Sequence, residues 1–423
     1  MVIRKLQQAG WLRNYKVRVP RDLPSVTQID RAGEAKAADG GLSPRAVAEI
    51  WADVENLYRS QAHPGIAVCI RRHGQIILNR TIGHARGNGP QDGPSTPKSA
   101  LTLDTPVCLF SASKAVTAIL IHKLAEEGGV DLDRRVSHYL PAFCTDGTRD
   151  TTLADVLAHR GGFPTINVSR ELRRAELLLD WDDVIGRICR SPVKRGRQMA
   201  YHAITGGFIL AEVLQRVTGQ SIQQYLDTRF RQPMGLRHFT YGLPAAQREQ
   251  VALNYVAGTP VRFPIAQMLE RALMAPVDTV VEASNSPAFY DGVIPAGNLF
   301  ANAEELSRFF QMLLDRGAWG KHQLLKPETV ERAVRPVGRI TFDRTLMIPM
   351  RYSEGMMLGA KPAGLYGPMT HNAYGHLGFM NILGWADPDR DIAASILVTG
   401  KAVLGTHLIA AGKLLATICN RCR

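Results

Sequence analysis

Two pairs of strand-like runs stand near opposite ends of this chain, and the patterning between them is mostly helical. Near the start, Gly65 to Ile70 and Gln75 to Thr81 are joined by Arg71-Arg72-His73-Gly74, a short turn with glycine where a positive φ is needed. Near the end, Asn381 to Ala386 and Ile392 to Thr399 are joined by Asp387-Pro388-Asp389-Arg390-Asp391, a good turn sequence. Both pairs read as antiparallel hairpins. Ser43-Pro44 opens a helix ahead of the first, with Val47, Ile50, Trp51, Val54 and Leu57 at helical spacing. A last helix is predicted over roughly 404–418. Strands and flanking helices at both ends predict an α/β fold with one antiparallel sheet shared by the two ends and a mainly helical region inserted between them. The expected division is an arm and linker over 1–43, a sheet domain from 44–150 and 295–423, and an inserted helical domain over 151–294.

Composition sets the outer bounds. Of 423 residues, 45% are hydrophobic and 21% charged, enough apolar surface for a core and too much for wholesale disorder. The longest apolar runs, such as Ile392 to Val398, fall far short of the ~20 residues that a spanning helix needs. The formal charge of +13 is spread out, with Arg4, Lys5, Arg13, Lys16, Arg18 and Arg21 near the start and Lys401, Lys413, Arg421 and Arg423 in the tail. Without zinc-finger spacing or a basic block, this charge argues against a nucleic-acid partner. Val2, Ile3, Leu6 and Trp11 fall near one face of a short amphipathic pattern that could touch an anionic membrane surface, but a loosely ordered arm is the simpler reading. The start lacks the apolar stretch and cleavage site of a secretory signal, so the expected compartment is the cytoplasm. Cys69, Cys108, Cys144 and Cys189 read as small buried hydrophobes, and Cys419 and Cys422 as free thiols in a frayed tail. No metal or cofactor is expected, and the pattern sets no oligomeric state.

The segment with the most chemistry is Phe110-Ser111-Ala112-Ser113-Lys114, a Ser-x-x-Lys at the start of a helix. Residues i and i+3 share a helix face, so the lysine amine can reach the serine hydroxyl. A serine needs a base or a nearby cation to become a nucleophile, and a buried lysine with a lowered pKa can be either. The run that follows, Ala115 to Leu124 (AVTAILIHKL), is largely apolar, so Lys114 enters a buried helix. Alone, Ser-x-x-Lys is a weak signal that a capped surface helix would also satisfy.

Several collinear segments strengthen it. LFSASKAVTAILIHKLAEEGGVDLDRRVSHYLPAF resembles the nucleophile helix and following loop of the serine β-lactamase and penicillin-binding-protein superfamily. The likeness is greatest to its class C branch, which includes the family VIII carboxylesterases. Thr152 to Pro164 is similar to that family's Leu-Leu-x-His-x-x-Gly segment, and Tyr201-His202-Ala203 takes the place of its Tyr-x-Asn. FRQPMGLRHFTYGL resembles its Pro-Leu-Gly-Met segment, and Pro295 to Leu314 its Pro-Ala-Gly region. Gly375-His376-Leu377-Gly378-Phe379 stands where its Lys-Thr-Gly strand would be. The resemblance spans about 44–418, weakly through 243–293. It implies Ser111 as acylated nucleophile, Lys114 as the group that helps deprotonate it, and Tyr201 as a second acid/base whose pKa the adjacent lysine cation would lower. The main-chain N–H groups of Ser111 and Phe379 would form an oxyanion hole. His376 and Gly378 would face substrate, Gly378 by letting the backbone come close to it.

Two departures narrow the substrate. Ala203 replaces an asparagine whose amide could bond an acylamino group, and His376 replaces a lysine that would offer a substrate carboxylate a permanent cation. Both favour a simple carboxylic ester of short to medium acyl chain over a β-lactam or a D-amino-acid peptide. Acyl transfer through the same acyl-enzyme, β-lactam or peptide hydrolysis, and a scaffold without turnover remain as alternatives. His159 reads as a loop brace, His202 can point into the cleft or away, and Tyr290 and Asp291 fall in a weakly patterned region. No Gly-x-Ser-x-Gly elbow, His-Glu-x-x-His helix or phosphate loop is present.

Overall fold

The computed structural model describes residues 15–166, 178–191, 198–379 and 381–423. In chain order its first principal elements are strand β1 (Thr27–Ile29), helix α1 (Pro44–Arg59), and strands β2 (Gly65–Arg72), β3 (Gln75–Arg86) and β4 (Ser99–Ala100). Helices α2 (Ser113–Glu126), α3 (Thr205–Thr218) and α4 (Ala303–Leu314) follow. Then come β5 (Thr341–Asp343), β6 (Ile348–Met350), β7 (Met357–Leu358), β8 (Tyr374–Gly378), β9 (Ile382–Asp387), β10 (Ile392–Val398) and helix α5 (His407–Arg421).

The principal sheet runs β1-β3-β2-β10-β9-β8-β7, with Ser99–Ala100 paired to β3 off that path, and every pairing is antiparallel. The two predicted hairpins therefore meet at the middle of the sheet, where Ile66 faces Val398 and Arg72 faces Ile392. Strand β10 is buried throughout and β2 up to its last residue, as expected where both faces of a sheet are covered. Helix α4 packs against β2, β9 and β10. Gly384 in β9 admits it, since a Cβ there would sit 2.5 Å from the Phe310 ring. Helices α1 and α5 pack on each other, and α1 rests on β2 and β3. The helix starts follow the sequence. Ser43 caps α1 by accepting from the Ala46 N–H, and Asn302 and Glu305 cap α4 reciprocally.

Three expectations are corrected. Residues 20–43, read as a linker, contribute edge strand β1 and a 3-10 helix over Gly33–Gly40. Glu34 of that turn grips the Arg80 guanidinium and accepts from the Asn79 N–H, while Leu23 is buried, so side-chain contacts secure a segment whose own patterning is weak. Cys144 is exposed, unlike Cys69, Cys108 and Cys189. The supposed frayed tail is the end of α5, with Cys419 and Cys422 buried and the Cys419 carbonyl accepting from Arg390 Nε at 3.0 Å. The amphipathic pattern of Val2, Ile3, Leu6 and Trp11 lies outside the described residues. Among those residues no helix is long and apolar enough to cross a membrane.

Candidate active site

The turn that carries Ser111 is built under strain. Phe110 has φ of 46°, a left-handed conformation that a bulky side chain adopts rarely. A 3-10 turn over Phe110–Ala112 then runs straight into α2. Ser111 is left partly exposed, while α2 is buried from Ser113 to His122. Lys114 Nζ lies 3.0 Å from Ser111 Oγ and donates to the Ala296 carbonyl at 2.8 Å. It is buried, and this loss of solvent holds its pKa well below that of an ordinary lysine. Burial thereby favours the free amine, whose lone pair can take a proton, more than it does in an exposed lysine.

The segment 295–299 holds this helix in place. The Thr117 hydroxyl donates to the Pro295 carbonyl, and Ser113 Oγ accepts from the Leu299 N–H. Helix α3 reaches the same segment because residue 207 is glycine. A Cβ there would stand 2.7 Å from the Ala296 nitrogen.

Tyr201 comes to the site from a distant stretch of chain. Its ring packs 4.7 Å from His159 and 6.1 Å from His376, and Lys114 Nζ stands 5.0 Å from the ring centre. Its backbone N–H donates to Asp343 Oδ1 at 3.2 Å. The same oxygen accepts from the N–H groups of Thr345 and Leu346, and Oδ2 accepts from the Tyr352 hydroxyl. The Tyr201 hydroxyl is buried, with no well-formed hydrogen bond among the described residues, although the Ser111 hydroxyl is near enough to act on it. Burial raises its pKa, outweighing the opposite pull of the Ser111 hydroxyl. This corrects the expectation of a lowered pKa: loss of solvent is the dominant influence on the Tyr201 hydroxyl, which rests as the phenol.

His376 is buried on β8 rather than facing solvent. Its Nδ1 donates to the Leu377 carbonyl at 2.8 Å, which leaves Nε2 as a bare, buried acceptor. Desolvation, aided by Lys114, holds its pKa down to about 3, so the ring is neutral at pH 7. Gly378 permits a close backbone approach to Leu109: a Cβ would lie 2.4 Å from the Leu109 carbonyl oxygen. The end of β8 is thus pressed onto the nucleophile turn, and the Phe379 ring meets Phe110 at 5.3 Å. Ala203 is buried in a small apolar cluster with Tyr201, Met199, Met350 and Tyr352.

Ser111, Lys114, Tyr201, His376, Gly378 and Phe379 therefore gather at one place. His159 acts as the brace it was read to be, its Nδ1 accepting from the His202 N–H at 3.2 Å. His202 points inward, with Nε2 accepting from the Phe163 N–H. Asp291 is exposed and ion-paired to Arg248, and Tyr290 is buried elsewhere in the core against Phe300. Asp343, Tyr352 and Ala296 were not singled out from the sequence. Asp343 and Tyr352 sit in a stretch without strong periodicity, and Ala296 contributes only its backbone. Its one sequence signal was the Pro-Ala-Gly likeness.

A buried lysine beside a serine at a helix start, with a tyrosine over both, is the arrangement that the sequence likeness implied. The model of the Beta-lactamase family matches residues 45–415 of the chain. The chain belongs to the Beta-lactamase family. As a member it is a serine hydrolase. Among curated relatives it is 25% identical to the Esterase/beta-lactamase LipL of Mycobacterium tuberculosis over 395 residues, 89% of this chain and 86% of LipL. Among solved structures, its fold is similar to that of a family VIII carboxylesterase, with a TM-score of 0.76 and 24% identity over 90% of this chain and 98% of the other. It is equally similar to a penicillin-binding-protein homologue from Caulobacter crescentus, with a TM-score of 0.75, 24% identity and the same coverage of both chains.

Proposed function

We propose that this member of the Beta-lactamase family hydrolyses carboxylic esters of short to medium acyl chain through an acyl-enzyme on Ser111. The observation that carries the reading is the 3.0 Å approach of a desolvated Lys114 amine to Ser111 Oγ. Ser111 Oγ attacks the ester carbonyl carbon while its proton passes to Lys114 Nζ, which becomes the ammonium. The carbonyl oxygen becomes an oxyanion at the Ser111 and Phe379 N–H groups. When the intermediate collapses, the bond to the leaving oxygen breaks, and that oxygen takes the Tyr201 phenolic proton and departs as the alcohol. The phenolate, beside the new ammonium, then takes a proton from water, and the hydroxide attacks the acyl carbon. As the acid leaves, Ser111 Oγ recovers its proton from Lys114.

The ester preference rests on two absences of recognition. Neutral His376 offers no cation to a carboxylate placed against β8, and buried Ala203 offers no amide. The kinship with LipL, a protein named for both activities, favours esters while keeping β-lactam hydrolysis as a second reading. The test is turnover of a p-nitrophenyl ester series and a chromogenic cephalosporin by wild type and Ser111→Ala. Ester turnover that vanishes in the variant supports the reading. A cephalosporin turned over faster than every ester overturns it.

A further inference from the structure

A cavity of about 440 Å³ opens beside Tyr201, lined by Arg160, Gln198, Met199, Thr341, Phe342 and Arg344. Its volume lies in the range that small-molecule sites occupy. Its walls are continuous with the groups that hold Tyr201. Arg160 follows His159, which packs on the Tyr201 ring; Arg344 follows Asp343, which holds the Tyr201 N–H; and the Met199 carbonyl accepts from the Arg344 N–H at 3.2 Å.

The chemistry of those walls is one-sided. Two arginines, Arg160 and Arg344, line the cavity, and among the described residues no acidic residue does. Neither Arg160 nor Arg344 has an ion-pair or hydrogen-bond partner for its side chain among the described residues. Asp343, which precedes Arg344, is buried, and its oxygens are engaged by Tyr201, Thr345, Leu346 and Tyr352. Space for Arg160 is built in: at Gly338 a Cβ would come within 3.0 Å of Nη2. Met199 and the exposed Phe342 supply apolar contact between the two charges. Guanidinium groups bind oxyacid anions through paired N–H donors and are never deprotonated.

We infer that this cavity is a subsite for an anionic oxyacid group, carboxylate or phosphate, carried by the substrate on an apolar stem away from the scissile ester. This deepens the esterase reading and rests on it. The cation that His376 does not supply at β8 is supplied instead on the Tyr201 side, by Arg160 and Arg344. The enzyme would then select half-esters of dicarboxylic acids, or phosphate-bearing esters, over neutral esters of the same length.

The experiment compares mono-p-nitrophenyl glutarate with its neutral methyl ester, using wild type, Arg160→Gln, Arg344→Gln, the double variant and Arg344→Lys. The readout is the ratio of kcat/KM for the anionic over the neutral ester, which general damage to the fold leaves in place. The ratio is expected to exceed one in wild type, to fall about tenfold or more in the double variant, and to recover in part with lysine. It is expected to shrink as salt is added. Phosphate and glutarate as competitive inhibitors identify which anion the subsite prefers. A ratio near one in wild type, or one untouched by the double variant, overturns the subsite while leaving the esterase reading intact. If wild type turns over neither ester, the esterase reading fails, and calorimetric titration with monomethyl glutarate still decides the subsite. Binding lost in the double variant supports it, and no binding to wild type overturns it.

Discussion

The Tyr201 backbone N–H donates to Asp343 Oδ1 at 3.2 Å, tying together residues 142 positions apart in the chain. Through this contact the short hairpin of β5 and β6 sets the position of a tyrosine that lies on neither strand. Asp343→Ala would orphan the buried Tyr201 N–H and Tyr352 hydroxyl and the part-buried N–H groups of Thr345 and Leu346. The expected cost is at least ~3 kcal/mol of stability, seen as a lower denaturant midpoint. Ester kcat is expected to drop about 100-fold as Tyr201 shifts. Asp343→Asn keeps an acceptor at Oδ1 and should lose much less on both measures.

Lys114 is desolvated, and its role depends on the free amine. Lys114→Ala is expected to cut kcat/KM by about 10³-fold, within the range for loss of a general base. Lys114→Arg should not rescue it, because a guanidinium does not give up its proton. The amine is protonated as pH falls through its lowered pKa, so activity in wild type should fall on the acid side. A pH–rate profile without an acid limb would contradict this assignment.

Three buried imidazoles set an acid limit on the fold. Burial holds His63, His202 and His376 down to about 3. In the unfolded chain they titrate near 6.5, so between roughly 6.5 and 3 the unfolded state binds more protons than the native one. Stability therefore rises with pH across that window and is lost as pH falls through it, by up to ~1.4 kcal/mol per pH unit for each ring. Thermal unfolding at pH 7, 6, 5 and 4 should show a falling Tm with a steepening slope. His376→Gln, which removes one titrating ring, should flatten it.

Gly378→Ala places a Cβ 2.4 Å from the Leu109 carbonyl oxygen, closer than atoms can stand. The end of β8 must then lift from the nucleophile turn, moving the Phe379 N–H away from Ser111. The expected result is a kcat at least 10-fold lower with a smaller change in KM, read by steady-state kinetics. Gly412→Ala, in α5 where a Cβ meets nothing within 4 Å and the backbone is helical, is the control for a general glycine effect.

Much of this architecture was legible in the sequence where the pattern is periodic. The paired hairpins around 65–81 and 381–399 announced a sheet shared by both ends, because alternation and turn residues are local signals. Ser111 and Lys114 were legible for the same reason: helical spacing fixes i and i+3 on one face. Tyr201 became visible only through the ordered likeness of several segments, since one tyrosine in an apolar stretch carries no signal of its own. Asp343 was illegible because its meaning lies in four partners, one of them more than a hundred residues away. The Arg160 and Arg344 cavity was illegible for a related reason. Two single arginines far apart in sequence look like ordinary surface charge until the fold brings them to one wall. Strand β1 was missed because three residues, Thr27–Ile29, are too few to show alternation.

The most direct test of the central claim is peptide mapping by mass spectrometry of protein quenched during turnover of p-nitrophenyl butyrate. One butyryl group on the peptide that contains Ser111, absent in Ser111→Ala together with p-nitrophenol release, is the predicted result. Full turnover by Ser111→Ala, or an acyl group on any other residue, would contradict it.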